Sequence, residues 1–353
     1  MARRGSPRPP DSETAPLDVF APVRADLAGG TLDLWPLYCL HPGSITVNAA
    51  LARGVRIRLV AGGAPSGSIA FSSPASAPRL LGPEDAAHEL AAAVGFHIAP
   101  GGGFAVEVIE QPPVGSGLGA SSAFAVALAR GCLALAGRRL GVARTVALLR
   151  DLESRVLGVP TGVQDYLPAL LGGLLALHLN PGGERVERLG TDRGWLAARL
   201  VVIYSGITHA SGMVNWEVYR ARIDGDRRVA RRLDEIAVAA TACRAALLAG
   251  DEAAVGRAVA AEWRARRELA PSVTNTALDA ILAAGASAGA LAGKACGAGG
   301  GGSVLFWAAP ERRWAVREAA LAAAPGAFEV ASDLAARGAA VRSGRATMSP
   351  GRG

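Results

Sequence analysis

Lysine is almost missing from this chain. Of 37 basic residues, only Lys294 is a lysine, and the rest are arginine. Aromatic residues are scarce at 5%. The four cysteines, Cys39, Cys132, Cys243 and Cys296, never stand at C-x-x-C spacing, which excludes a zinc ribbon and a dithiol redox motif. Scattered cysteines in a chain this long fit a reducing, cytoplasmic setting rather than a disulfide scaffold. The five histidines never pair at metal-ligand spacing. No apolar run reaches the roughly 18 residues of a membrane helix, so no membrane partner is expected. The net charge of +7 is carried by arginine in a chain also rich in alanine and glycine, a compositional bias more than a binding signal. The basic residues do not cluster with aromatics. No zinc-finger, RRM or helix-turn-helix signature is present, so no nucleic-acid partner is expected. The opening stretch MARRGSPRPPDSETAP, residues 1–16, is basic without an apolar core. It reads as a disordered leader and not as a signal peptide.

What the chain does contain is apolar bulk and glycine: half the residues are apolar, 19% are charged, and glycines number 45. A chain of 353 residues predicts two domains at about 150 residues each. Strands and helices follow no regular βαβ winding, which argues for α+β architecture in both halves. The first unit is placed at 17–192 and the second at 193–346. In the first, LDVFAPVRADLAGG, SITVNAAL, GVRIRLVAGG and FAVEVIEQ read as strands, and residues 62–83 as a long loop. EDAAHELAAAVGFHI, FAVALARGCLALAG and VARTVALLRDLESRVLG read as helices, and PTGVQDYLPALLGGLLALHL as loop, helix and strand. The second unit opens on the strand LAARLVVIYSG. An Arg-rich helical stretch over 211–268 follows, then the helix TALDAILAAGASAG and a glycine loop entering a strand, GKACGAGGGGSVLFWA. A helix near 311–323 and a strand near 327–330 close it.

One loop carries chemistry on its face. PVGSGLGASSA, residues 113–123, follows a strand and opens a helix. Glycines let backbone N–H groups converge, and the helix N-terminus adds a positive dipole, so the segment suits phosphate. It is not a Walker A loop, because no Gly-Lys-Ser/Thr follows. It lacks the second strand and acidic end of a dinucleotide fingerprint. Taken alone, it is also compatible with a plain glycine turn whose serines cap the helix.

The same segment resembles the second signature of the GHMP small-molecule kinases, which include galactokinase, homoserine kinase, mevalonate kinase and phosphomevalonate kinase. Three further segments resemble that superfamily in the right order: APVRADLAGGTLDLWP the first motif, PTGVQDYLPALLGG the segment with the catalytic aspartate, and GKACGAGGGGSVLF the third motif. The likeness spans about residues 20–345. Within the superfamily, TNTALDAILAAGASAGALAGKACGAGGGGSVLF is most similar to the sugar kinases of the D-glycero-D-manno-heptose 7-phosphate and L-fucose type. The chain departs from that pattern at Thr31 and Leu32, where the relatives read Gly-Thr, at QDYL for QDQY, and at Ser303 for phenylalanine.

The resemblance implies an N-terminal domain of the ribosomal-S5-domain-2 type and a C-terminal ferredoxin-like domain, with the site between them. It implies a kinase that uses ATP and Mg²⁺ to phosphorylate a hydroxyl of a sugar or sugar phosphate. A kinase of a non-sugar alcohol such as mevalonate, homoserine or threonine is the alternative, and a catalytically dead regulator a further one. By its motifs, Asp165 is the catalytic carboxylate and Arg24 its basic companion. On local chemistry alone Asp165 would also cap the helix that follows it. The nucleotide is expected along Pro113, Gly115, Ser116, Gly117, Leu118, Gly119, Ala120, Ser121 and Ser122. Ser121 and Glu153, twelve residues before Asp165, are the expected Mg²⁺ ligands, with Ser122 a rival for the serine role. The acceptor is expected at Asp33 and Gly30, at His209 in YSGITHASG, and at Gly299 and Gly300. The protein is expected to act as a monomer or homodimer.

Overall fold

The computed structural model describes residues 15–208, 211–330 and 332–343. The leader expected over 1–16 lies outside them apart from its last two residues, and His209 lies outside them altogether.

The first half is built on one long, bent antiparallel frame. Strand β1 spans Leu17–Ala28 and leads through the short helix α1 (Leu37–Leu40) into β2, Ile45–Ser66. Two separate strands are expected here, yet β2 runs unbroken for 22 residues. Gly54 permits the continuity, since a Cβ there would stand 2.1 Å from the Ala21 carbonyl oxygen on β1. Next come β3 (Ile69–Ser73), β4 (Ser76–Leu81), α2 (Leu90–Ile98) and β5 (Gly102–Glu110). Residues 62–83 are thus no loop. Their Gly, Pro and Ser content hides a hairpin anchored by buried Ile69 and Leu81, with β3 pairing parallel to β5. Helices α3 (Ala120–Leu135), α4 (Val142–Leu157) and α5 (Tyr166–Leu171) follow, then β6 (Leu174–Asn180) and β7 (Gly183–Arg188).

The second half holds α6 (Arg193–Ala197), β8 (Leu200–Tyr204), α7 (Ser211–Ile223), α8 (Arg227–Ala249) and α9 (Glu252–Arg267). It continues through α10 (Thr276–Ser287), β9 (Ala292–Ala295), β10 (Ser303–Trp307), α11 (Arg313–Ala322), β11 (Phe328–Glu329) and β12 (Ala340–Ser343). The 211–268 stretch resolves into three helices for a local reason. Asp226 accepts from the backbone of Arg228 and Val229, Gly250 ends α8 at φ 66°, and Asp251 caps α9 on Ala254.

Among the described residues, an eight-stranded sheet runs β12-β1-β2-β5-β3-β4, with β6 on β2 and β7 on β6, and a four-stranded sheet runs β11-β8-β10-β9. The chain's last strand thus returns to the first sheet, with Leu17 opposite Ser343. Sequence reading misses β7 and β12, both short and half-polar. Helix α3 lies on β1 and β2. Its alanines let it approach closely, and Gly131 sits where a Cβ would meet Leu59 at 2.7 Å. No helix among the described residues is long and apolar enough to cross a membrane.

Candidate active site

The loop between β5 and α3 turns through three left-handed glycines, Gly115, Gly117 and Gly119, at φ 71°, 71° and 74°. Space as well as conformation demands glycine at two of them. A Cβ on Gly117 would stand 2.7 Å from the Cys296 carbonyl oxygen, and one on Gly119 would stand 3.0 Å from Asp165 Cγ. The third-motif loop docks on this one backbone to backbone, with Ser303 N–H donating to the Ser116 carbonyl at 2.8 Å. Replacing the motif phenylalanine by Ser303 leaves that bond intact, because the main chain makes it.

Arg24, on β1, is buried beneath the loop. Its Nε and Nη2 reach the same oxygen, Oδ1 of Asp165, at 2.7 and 2.6 Å, and its Nη1 donates to the Gly117 carbonyl at 2.6 Å. Its backbone N–H holds the Leu118 carbonyl at 3.0 Å. Asp165 stands at the N-cap position of α5, yet its side chain makes no capping bond. The capping explanation therefore fails, and the carboxylate is turned to Arg24 and to a cavity of about 350 Å³.

That cavity is lined by Arg24, Asp33, Ser116, Ser121, Ser122, Glu153, Gln164 and Asp165, by Asn215 on α7, and by Gly297 and Ala298 of the third-motif loop. The structure brings together most of the expected residues and separates their roles. Ser121 is exposed, whereas Ser122 is buried and donates to Glu153 Oε2 at 2.8 Å. The Tyr166 hydroxyl donates to that same oxygen. Burial pushes the Glu153 carboxyl up, against the bonds from Ser121, Tyr166 and Ser122. Burial and the neighbouring Glu153 push the Tyr166 phenol well above its usual range, which keeps it a donor. Ser122 and Tyr166 thus orient Glu153, and the exposed Ser121 stands beside the same carboxylate in the cavity wall.

Asp33 is 4% exposed and accepts the Gln164 backbone N–H on Oδ2 at 3.0 Å. Gly162 lets the 160–165 loop wrap it, since a Cβ there would stand 1.8 Å from that oxygen. Burial, reinforced by Asp165, pushes the Asp33 carboxyl up to about 6, against the Gln164 N–H and the Arg24 charge.

Some expected residues sit elsewhere. Leu118 is fully buried in the core, and Pro113 does not line the cavity. Gly299 and Gly300 turn away toward Val273 and Asn275: the Gly300 N–H donates to the Val273 carbonyl at 2.6 Å, and Asn275 donates to the Gly300 carbonyl at 2.9 Å. Gly30 lies behind the cavity wall, where a Cβ would meet Asp26 Oδ2 at 2.8 Å. Leu32 also leaves the pocket for the core, so of the two first-motif departures only Thr31 faces the cavity.

Sequence reading missed the buried charges beneath the site. Lys294 Nζ lies 2.9 Å from Asp26 and 3.1 Å from Glu262, and Glu262 lies 2.6 Å from Arg266. Arg266 donates to the Gly30 carbonyl at 2.8 Å, and Asp26 accepts the Gly297 N–H at 2.8 Å. Two cations and two carboxylates, all buried, thereby tie the first and third motifs to α9. The signal available was the lone lysine, together with Glu262 and Arg266 one helical turn apart.

A model of the GHMP kinases N terminal domain matches residues 83–173, and a model of the GHMP kinases C terminal domain matches residues 243–325. This chain belongs to the GHMP kinases. It is 25% identical over 309 residues to a D-glycero-alpha-D-manno-heptose 7-phosphate kinase of Campylobacter jejuni, covering 83% of this chain and 89% of that one. Among solved structures, a D-glycero-D-manno-heptose 1-phosphate kinase from Bacteroides thetaiotaomicron aligns with TM-score 0.71 at 22% identity, over 92% of this chain and 98% of that one. The Lactococcus lactis galactokinase, solved with galactose, aligns with TM-score 0.76 at 16% identity, over 92% and 95%. The kinase therefore has the two-domain α+β fold of its superfamily.

Proposed function

We propose that this GHMP kinase transfers the γ-phosphate of ATP to a hydroxyl of a sugar or sugar phosphate, in the cavity between the glycine loop and Asp33. The observation that carries the reading is the placement of Asp165. Its carboxylate is gripped through Oδ1 by Arg24 at 2.6 Å, at the wall of a cavity bounded by a left-handed glycine loop and a second buried carboxylate. The names of the relatives point to sugars and sugar phosphates as acceptors. Asp33 supports the same class, since a buried carboxylate with a free acceptor oxygen suits vicinal hydroxyls.

In this mechanism the glycine loop and the start of α3 receive the nucleotide phosphates through backbone N–H groups. Ser116 Oγ, buried in the cavity wall, has no hydrogen-bond partner among the described residues and is a polar atom awaiting one. Asp165 orients the acceptor hydroxyl and accepts its proton, and Arg24 holds the carboxylate in place and faces the charge that builds up on the transferring group. Mg²⁺ fits the donor set. Ser121 and Glu153 would hold it, as one carboxylate and one hydroxyl leave room for phosphate and water oxygens. When bound, it would neutralise charge on the nucleotide phosphates.

The test is an ADP-release screen of the purified protein against heptose phosphates, hexoses, mevalonate, homoserine and threonine. Turnover of a sugar or sugar phosphate is expected. Turnover of mevalonate or an amino-acid alcohol with every sugar refused would overturn the reading.

A further inference from the structure

Thr31 is, among the described residues, the only non-glycine in the left-handed backbone region, at φ 72°. A β-branched residue is a genuine outlier there. Such a conformation persists only where its surroundings over-determine it. Here they do. The Thr31 hydroxyl accepts from Arg266 Nη1 at 3.1 Å and donates to Asn215 Oδ1 at 3.1 Å. Arg266 itself is immobilised by Glu262 at 2.6 Å and by the Gly30 carbonyl at 2.8 Å.

The order of these bonds has a chemical consequence. A guanidinium only donates, so the single proton of the Thr31 hydroxyl is committed to Asn215. Asn215 then accepts on Oδ1, and its Nδ2, which makes no hydrogen bond among the described residues, lies in the wall of the cavity. Within the same cavity, Asp33 is an acceptor, and Gln164 Oε1 is buried with no hydrogen-bond partner among the described residues. The site thus presents one fixed amide donor together with two acceptor groups.

We propose that Thr31 is a specificity-determining residue, which locks the Asn215 amide with its N–H groups facing the acceptor. The acceptor it selects carries an oxygen that receives a hydrogen bond beside hydroxyls that donate, as adjacent positions of a polyol or sugar ring do. This rests on the reading that the acceptor binds beside Asp33. Thr31 acts through Asn215 and is a positioning residue. Its presence where related sugar kinases carry glycine makes it a feature of this chain.

Steady-state kinetics of Thr31→Gly, Thr31→Ser and Asn215→Ala test the proposal. Thr31→Gly suits the left-handed backbone and is expected to fold with a normal melting curve. Its acceptor KM should rise about tenfold, as for loss of one oriented hydrogen bond, with kcat and ATP KM within about twofold of wild type. Thr31→Ser keeps the hydroxyl and should restore the wild-type KM. Thr31→Gly added to Asn215→Ala should raise KM no further than Asn215→Ala alone. A folded Thr31→Gly with unchanged acceptor KM, a Thr31→Ser as impaired as Thr31→Gly, or additive effects in the double variant would each overturn it. The measurement uses whichever acceptor the screen identifies. A non-sugar acceptor overturns the sugar reading alone, and the KM comparison still decides the role of Thr31.

Discussion

Arg24 grips Asp165 through a single oxygen: Nε and Nη2 both close on Oδ1, at 2.7 and 2.6 Å, and Oδ2 makes no hydrogen bond among the described residues. One half of the carboxylate is structural and the other is free to meet a hydroxyl. Asp165→Asn keeps the shape and loses the base. Its kcat should fall roughly 10²- to 10⁴-fold, as for loss of a positioned acid–base group, while ATP affinity by calorimetry stays near wild type. Turnover close to wild type would remove Asp165 from the chemistry. Arg24→Lys cannot reproduce the paired donation to Oδ1 together with the bond to the Gly117 carbonyl. It should lower kcat in the same direction but less.

The two loop glycines should fail differently. A Cβ at Gly117 strikes the Cys296 carbonyl, a backbone atom of the third-motif loop, whereas one at Gly119 strikes the Asp165 side chain. Gly117→Ala should therefore part the two glycine loops and weaken ATP binding, read as a raised Kd. Gly119→Ala should displace the carboxylate and lower kcat with a smaller change in ATP Kd. Identical effects from the two variants would show that the loop responds as one unit and that the contacts at each glycine do not matter.

Much of this site is legible in the sequence because its chemistry resides in short contiguous motifs. Arg24, Asp165, Glu153 and the Gly115–Ser122 loop meet around one cavity. What is not legible arises from long-range packing. Asp26, Glu262, Arg266 and Lys294 lie on β1, α9 and β9, and only the folded chain shows that they neutralise one another. The hairpin at 69–81 is hidden because its residues are mostly small and polar, and its pairing to β5 needs a partner 35 residues away. Leu32 reads as a change in the pocket until packing turns it into the core.

Magnesium dependence should separate the two serines of α3. Ser121 is exposed at the cavity beside Glu153, while Ser122 is buried and bonded to Glu153. Ser121→Ala and Glu153→Gln should each raise the Mg²⁺ concentration giving half-maximal rate, since each removes a hard oxygen. Ser122→Ala should have a smaller effect, because Tyr166 still holds Glu153. If the Ser121→Ala titration overlays wild type while Ser122→Ala is displaced, Ser122 is the ligand instead.

At Asp33, stability and binding oppose one another. Burial raises its carboxyl from an ordinary value of 3.8 to about 6. The native state therefore holds the proton more tightly than the unfolded chain does. Ionising Asp33 then costs stability: nothing below pH 3.8, progressively more between 3.8 and 6, and the full amount above 6. A shift of this size corresponds to about 3 kcal/mol at 1.36 kcal/mol per unit, an upper bound for a group that lines an open cavity. Asp33→Asn should therefore raise Tm at pH 7.5, and that advantage should shrink as the pH falls from 6 toward 4. The same substitution weakens charge-assisted bonds to acceptor hydroxyls, worth about 1.5–3 kcal/mol, so acceptor KM should rise by one to two orders of magnitude with ATP KM nearly unchanged. In the wild type, kcat/KM for the acceptor should fall below about pH 6 as Asp33 takes up its proton. In Asp33→Asn that acid limb should vanish. A limb near pH 6 that persists in the variant would assign the titration to another group and separate Asp33 from acceptor binding.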